Sequence, residues 1–140
     1  MTRASRSSHK TIGVTMRTAL IAGAILTAGA VRAQAQEAPL KIFISVDMEG
    51  IGGVGTGAMT SSSGKDYSVA RQLLTDEVNA VAAAIFAHTP DAEVLVNDSH
   101  GDHQNALHTQ LDPRMVYIQG SIKPLGMVQG LDGTFDGVIF

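Results

Sequence analysis

The feature that most constrains this chain is a strand pattern, a long helix pattern and a second strand pattern in immediate succession. Residues 40–46, LKIFISV, and residues 93–98, EVLVND, are short runs rich in Ile, Val and Phe that predict buried strands. Between them, apolar residues recur at steps of three and four, which predicts one amphipathic helix carrying Val69, Ala70, Leu73, Leu74, Val78, Val81, Ala82 and Ile85 on one face. Asp66 is the predicted N-cap, and His88 with Pro90 marks the end. A strand, a helix and a strand in this order form a right-handed crossover between parallel strands, so we predict an α/β fold with a mostly parallel sheet.

Shorter patterns extend this prediction to the last residue. Residues 115–120 predict a third strand, residues 136–140 predict the start of a fourth, and residues 105–111 and 124–131 predict short helices. Residues 51–65, IGGVGTGAMTSSSGK, are turn formers and are predicted to contain no helix or strand. Because a buried parallel strand needs neighbours and covering helices, we expect the sheet to be incomplete at the C-terminus and the chain to be a fragment.

The first 35 residues differ from the rest of the chain in charge and composition. They hold five basic residues and no acid, and a small apolar run from Thr18 to Val31 precedes the A-x-A tripeptide Ala33–Ala35. This arrangement is typical of a secretory signal peptide. The apolar run is shorter than the ~20 residues of a membrane span, so we expect no stable membrane anchor. We therefore predict that residues 1–35 are a signal peptide, and that residues 36–140 are exported and periplasmic or secreted after cleavage near Ala35.

Charge and cysteine content narrow the function classes open to residues 36–140. This segment has five Lys and Arg against 13 Asp and Glu, a formal net charge of −8. Domains that bind nucleic acid carry a basic face, so this balance argues against a nucleic-acid partner. The chain has no cysteine, so in an oxidising compartment the core or a metal must stabilise the fold without disulfides.

Two acids and a histidine follow the first two predicted strands. Asp47 and Glu49 come directly after the first strand, and His100 comes two residues after the second. The carboxyl ends of adjacent parallel strands meet at one edge, where open α/β sheets bind ligands. Carboxylates with an imidazole suit zinc or another first-row metal better than calcium, and the two acids share one side if strand geometry persists to Glu49. We predict a metal site here; the alternative is that Asp47 caps a turn, Glu49 is solvated and His100 is an ordinary loop residue.

Neighbouring polar residues carry weaker signals. Asn97 and Asp98 are expected either to orient a metal ligand or to stabilise the turn after the second strand. The spacing of His103 and His108 from His100 is not a recognised zinc pattern, so we expect both to be solvated loop histidines.

The glycine-rich segment does not indicate a nucleotide site. Residues 53–58, GVGTGA, match the dinucleotide fingerprint G-x-G-x-x-A, but that fingerprint sits in a tight turn that opens a helix. Here six residues separate it from the strand, and MTSSSGK follows it. Lys65 and Lys123 could hold an anionic substrate end, although we expect both to be solvated.

Four segments together resemble the dipeptide-operon D-aminopeptidase family of zinc metallopeptidases. They are SVDMEGIGG from Ser45, LTDEVNA from Leu74, VLVNDSHGD from Val94, and IKPLGMVQGLDGTFDGVIF from Ile122. The resemblance runs from about Lys41 to Phe140 and so covers the N-terminal part of a family member. Neither the acid pair nor NDSH is specific alone, but their combination is.

The resemblance implies a site with two zinc ions, in which Asp47 bridges the ions, Glu49 binds one and His100 binds the other. It also implies a further histidine and glutamate ligand and a cysteine nucleophile beyond Phe140, so the catalytic residues are expected outside this chain. The implied activity is hydrolysis of short peptides with N-terminal D-amino acids, by a homo-oligomer when full length. Activity of the present chain alone stays open.

Two other function classes are weighed against this one. A magnesium-dependent phosphohydrolase of the haloacid-dehalogenase kind also places an acid, a spacer and an acid after its first strand, with Asp47 as the phosphoryl acceptor. Its second acid is normally Asp followed by Thr, whereas Glu49 and Gly50 stand here. A non-catalytic periplasmic protein that binds metal or peptide would also fit a partial ligand set. Turnover of D-alanyl dipeptides, turnover of a phosphate ester, or ligand binding without turnover would separate the three.

Overall fold

The computed structural model describes residues 38–140, and the predicted signal peptide lies outside the described residues. Four parallel strands form one sheet in the order β3-β2-β1-β4: β1 Lys41–Val46, β2 Glu93–Asp98, β3 Val116–Ile118 and β4 Gly137–Ile139. Two helices, α1 Gly57–Thr60 and α2 Tyr67–His88, lie between β1 and β2. The predicted α/β fold with a parallel sheet and a crossover helix is confirmed.

Helix α2 covers one face of the sheet and has the predicted bounds. Asp66 occupies the N-cap position, although its side chain makes no capping hydrogen bond. The buried residues of α2 are Ala70, Leu74, Thr75, Val78, Ala82 and Phe86, and most pack in one cluster with Ile44, Val46, Val94 and Val96 of the two central strands. The predicted stripe is wrong at Val69, which is 54% exposed. Buried residues recur every four positions from Ala70 to Phe86. Val69 is one residue before Ala70 and therefore lies about 100° around the helix from this buried face.

The second face of the sheet is covered by the segment between β3 and β4. Phe43 of β1 points to this face and packs edge-on against Phe135, with ring centroids 5.7 Å apart. The amide nitrogen of buried Asn97 donates to the carbonyls of Gly126 and Met127 at 3.1 and 2.9 Å. Successive residues of a strand alternate in direction, so the next residue, Asp98, is directed to the α2 face.

Three local predictions are wrong. Residues 51–65 contain α1, which is closed by bonds such as Ser61 N to Gly57 O at 3.0 Å. The helices predicted at 105–111 and 124–131 are only 3₁₀ turns, at His108–Gln110 and Gly126–Val128. Tertiary contacts decide segments this short, because a single helical turn gains little from its own hydrogen bonds.

Candidate metal centre

The three predicted ligands meet at the carboxyl ends of β1 and β2. These strands pair in parallel with Val46 opposite Asp98, so the residues that follow them start side by side. Nδ1 of His100 lies 3.0 Å from Oδ1 of Asp47 and 2.9 Å from Oε2 of Glu49. One ligand atom from each residue lies within 4.8 Å of the other two.

The two acids converge for a reason that differs from the predicted one. Strand geometry does not persist beyond Asp47, because a 3₁₀ turn at Met48–Gly50 follows directly. Buried Met48 anchors this turn in the core, and Glu49 is carried on it to the side of His100. The side chain of Asp47 makes no capping hydrogen bond to the turn, which removes the capping explanation for this residue.

The donor set fits zinc. A catalytic zinc usually has three protein ligands, drawn from imidazole nitrogen and carboxylate oxygen, and keeps an open position. Two ligand atoms on a tetrahedral zinc with bonds of about 2.0–2.1 Å lie roughly 3.3 Å apart. The nitrogen–oxygen distances of 2.9 and 3.0 Å are a few tenths shorter, so a small outward movement of two partly exposed carboxylates accommodates the ion.

The pKa values of Asp47, Glu49 and His100 reflect the short distances between their side chains. Burial and the hydrogen bond with Glu49 raise the pKa of Asp47, while hydrogen bonds from Asp47 and His100 outweigh burial and lower the pKa of Glu49. Burial disfavours the imidazolium of His100, but hydrogen bonds to the Thr60 carbonyl and to both acids prevail and raise its pKa. Without a metal, a proton on Nδ1 is the positive charge that offsets two converging carboxylates.

The loop that carries His100 is held by a buried polar network around Asp98. Oδ2 of Asp98 accepts from the backbone N–H groups of Asn105 and Ala106 at 2.6 and 3.0 Å and from the Tyr117 hydroxyl at 2.6 Å. Oδ1 accepts from Nδ2 of Asn105 at 2.7 Å, and the same Nδ2 donates to the carbonyl of His100 at 2.5 Å. Of the two roles expected for Asp98, the structure shows the turn-stabilising one directly, and Asn105 links it to the backbone of His100.

Helix α2 contributes a second set of contacts to this loop. The hydroxyl of Tyr67 donates to Oδ1 of Asn105 at 2.5 Å, and Nε of Arg71 donates to the Asn105 carbonyl at 2.6 Å. Burial, followed by the hydrogen bond to Asp98, raises the pKa of Tyr117 and keeps its hydroxyl a donor. The carboxyl end of β2 is therefore fixed by side chains from α2 and β3 together.

The remaining candidates lie apart from the three ligands. Lys65 is exposed, as expected, and His108 is exposed on its 3₁₀ turn, whereas His103 is half-buried with a φ of 62°. The expectation of a solvated Lys123 is wrong: this residue is 9% exposed, and its ammonium donates to the carbonyls of Asp98 and Ile118 at 2.6 and 3.1 Å. Burial lowers the pKa of Lys123. It joins the ends of β2 and β3, which explains why a cation is buried there.

Sequence reasoning missed the residues that support the site. Tyr67 lies 38 residues before Asn105, and Tyr117 lies 12 residues after it, so no local spacing connects the three residues. Thr60 was also missed, because it acts through its backbone carbonyl, which is 2.7 Å from Nε2 of His100. The available signal for Tyr67 and Tyr117 was that they are the two tyrosines of an aromatic-poor chain.

Comparison with known proteins gives concordant results. The family profile described as D-aminopeptidase, peptidase family M55, matches residues 40–140. A D-aminopeptidase of Bacillus subtilis (strain 168) is 41% identical over 101 residues, which are 72% of this chain and 36% of that protein. The solved structure of the Zn-dependent D-aminopeptidase DppA from Bacillus subtilis, described as a self-compartmentalizing protease, superposes with a TM-score of 0.68 at 40% identity. The superposition covers 71% of this chain and 36% of the DppA chain, so the present chain spans about a third of the length of each relative.

Proposed function

Because the chain belongs to the D-aminopeptidase family, peptidase family M55, we propose that it provides metal-binding residues of a zinc-dependent aminopeptidase. The proposed substrates are short peptides with D-amino acids at the amino end. The observation that carries the proposal is the convergence of Asp47, Glu49 and His100 within the matched residues. The family match also favours a peptidase over the magnesium-dependent phosphohydrolase.

The exposure of the three ligands is suited to a reaction centre that peptides must reach. Side-chain exposure rises from 15% at His100 to 34% at Asp47 and 59% at Glu49, so the site is anchored on the loop side and open on the carboxylate side. A zinc ion bound there supplies a Lewis acid that polarises a peptide carbonyl and lowers the pKa of bound water. The residues of this chain hold the position: Asp47 and Glu49 offer anionic oxygen, and His100 offers a neutral nitrogen once its Nδ1 proton is lost.

The number of zinc ions is part of the proposal. Family resemblance assigns Asp47 as a bridge between two ions, with Glu49 and His100 on different ones. Among residues 38–140, one cluster of three metal-ligating groups is present. Three ligands shared between two ions underfill the site, so we expect weak zinc binding by this chain, at no more than one ion, and a second ion only where further ligands are supplied. Elemental analysis of the purified chain after dialysis measures this ratio.

A zinc titration with matched variants tests the site. Glu49→Gln and His100→Gln keep side-chain size and remove a ligand, and we expect each to weaken zinc binding by at least about tenfold. Asp91→Asn is the control, because Asp91 is an exposed acid just before β2, at the opposite edge of the sheet. Zinc affinity equal in all four proteins would refute the assignment of these ligands.

Activity requires a separate assay, on a protein that spans the full length of its relatives. We expect hydrolysis of D-alanyl-D-alanine, little hydrolysis of L-alanyl-L-alanine, and no release of phosphate from a phosphate ester. Zinc-dependent stabilisation without any turnover would favour the non-catalytic binding protein instead. Preference for the L-dipeptide would remove the D-specificity from the proposal and leave the peptidase.

Export and assembly complete the proposal. We propose that residues 1–35 are removed as a signal peptide and that residues 36–140 form the N-terminal part of an exported catalytic domain. No helix within residues 38–140 is long and apolar enough to cross a membrane. N-terminal sequencing of the exported protein should begin near Gln36. Light scattering should show a homo-oligomer for the full-length protein, in line with the self-compartmentalizing relative.

A further inference from the structure

The glycine-rich segment between β1 and α2 reaches the candidate metal centre through one backbone atom. The carbonyl oxygen of Thr60, the last residue of α1, lies 2.7 Å from Nε2 of His100. The other ring nitrogen, Nδ1, faces the carboxylates of Asp47 and Glu49. A backbone carbonyl can only accept, so this contact is a hydrogen bond only while Nε2 carries a proton. The two carboxylates also accept, so Nδ1 carries a proton until a zinc ion takes its place between them.

We propose that the Thr60 carbonyl is a positioning group that fixes the tautomer of His100, so that His100 binds zinc through Nδ1. In the neutral imidazole one nitrogen is a donor and the other an acceptor, and the partner of the first decides which is free for a metal. Rotating the ring by half a turn would place carbon atoms against all three oxygens and lose every hydrogen bond of the ring. This inference rests on the proposed zinc site and deepens it.

The position of Thr60 depends on a close backbone approach at Gly64. A Cβ added at Gly64 would lie 2.1 Å from the carbonyl oxygen of Ala58 and 2.9 Å from that of Ser61. The backbone N–H of Gly64 donates to the same Ser61 carbonyl at 2.8 Å. These two carbonyls flank Thr60, so a side chain at position 64 must displace the turn that presents Thr60. The glycine here serves a close approach of backbone to backbone.

The backbone of His100 is held by contacts that do not involve Thr60. Its backbone carbonyl accepts from the N–H of His103 at 2.8 Å and from Nδ2 of Asn105 at 2.5 Å. The main chain of His100 is therefore held by its own loop, and the ring by the segment 57–64. A change that shifts only Thr60 should alter the ring without moving the β2 end, which makes the contribution of Thr60 separable.

Nitrogen-15 NMR of the unsubstituted chain, labelled at histidine, tests the tautomer directly. The His100 signals are assigned by their loss in His100→Gln. On addition of zinc, Nδ1 should shift and Nε2 should keep its proton. Zinc bound to Nε2, or loss of the proton on Nε2 when zinc is added, would overturn the inference.

Gly64→Ala, with Gly57→Ala as its matched control, tests the role of the turn. An added Cβ at Gly57 meets nothing within 4 Å, so this variant changes the same segment without a clash. We expect Gly64→Ala to weaken zinc binding about 10- to 100-fold, and Gly57→Ala to stay within about twofold. A folded Gly64→Ala chain with unchanged affinity and an unchanged nitrogen-15 pattern would refute the positioning role.

The two proposals fail in different ways. If the unsubstituted chain binds no zinc, the proposed function fails, and the inference that rests on it fails with it. If zinc binds but the tautomer is the opposite one, only the present inference fails. Should Gly64→Ala not fold, the spectrum of the unsubstituted chain decides the question.

Discussion

Replacing Asp98 with Asn tests whether one buried carboxylate organises the loop that carries His100. Asp98 is fully buried and accepts four hydrogen bonds, three on Oδ2 and one on Oδ1. An Asn side chain offers one oxygen and one NH₂ group. If the oxygen of the new Asn side chain at position 98 faces the three donors, its NH₂ group faces Nδ2 of Asn105, and two donors are then opposed. Asn105 can relieve this clash by turning its amide over, but it then loses the bond to the His100 carbonyl.

The expected cost follows from these contacts. A hydrogen bond to a charged group contributes about 1.5–3 kcal/mol and a neutral one about 0.5–1.5 kcal/mol, so each of the three bonds to the remaining oxygen weakens by roughly 1 kcal/mol. A buried donor left without an acceptor adds about 1–3 kcal/mol. Burying a neutral amide instead of a charge recovers part of this sum, because the amide is less costly to desolvate. We expect the free energy of unfolding to fall by about 2–4 kcal/mol.

Urea unfolding followed by far-ultraviolet circular dichroism measures this change, and Tyr117→Phe provides the matched control. Tyr117→Phe removes one of the four donors and should cost about 1–2 kcal/mol. In the Asp98→Asn background the same change should cost less, since the acceptor is already neutral. Zinc binding should weaken about tenfold in Asp98→Asn, because the His100 backbone loses a constraint. Unfolding free energy within about 0.5 kcal/mol of the unsubstituted chain would refute the reasoning.

Three further outcomes are expected. Leu74→Ala, at a fully buried position, should lower the free energy of unfolding by about 2–5 kcal/mol. Val69→Ala, at a position 54% exposed, is the control and should change it by less than about 1 kcal/mol. Equal effects of the two substitutions in urea unfolding would contradict the packing of α2. Lys123→Met leaves two backbone carbonyls without their donor and should cost about 1–3 kcal/mol in the same assay; a more stable variant would show that the ammonium is dispensable. Because the pKa of His100 is raised on folding, its contribution to the stability of the metal-free chain is complete below the unfolded pKa and is lost as pH rises through the folded pKa. Zinc competes with that proton for Nδ1, so zinc affinity should rise over the same pH range, and His100→Gln should flatten both dependences.

The central elements of the fold could be predicted from the sequence. The bounds of β2 and the end of α2 at His88 follow from patterns that are local in the chain: Val and Leu in a short run, and apolar residues at helical steps that stop before Pro90. The parallel order of β1 and β2 follows from the crossover length alone. The meeting of Asp47 with His100 then follows from the parallel pairing of two adjacent strands.

The tertiary structure alone decided how the site is supported. Glu49 reaches His100 on a 3₁₀ turn anchored by Met48, and not through a continuation of strand geometry beyond Asp47. Lys123 is buried because the ends of β2 and β3 present two carbonyls at one point, a coincidence that no spacing along the chain encodes.

Sequence by itself therefore determined the α/β class, the central crossover and the three residues that converge at the candidate metal centre. These depend on side-chain type and on periodicities of 2 and 3.6 residues, which are properties of neighbouring positions. Only the tertiary structure decided which nitrogen of His100 faces the acids and what holds Asp98. Those depend on backbone carbonyls and on partners distant in sequence: Thr60 lies 40 residues before His100, and Tyr117 lies 19 after Asp98. Because every residue type has the same carbonyl, the sequence has no signal for where it will be used.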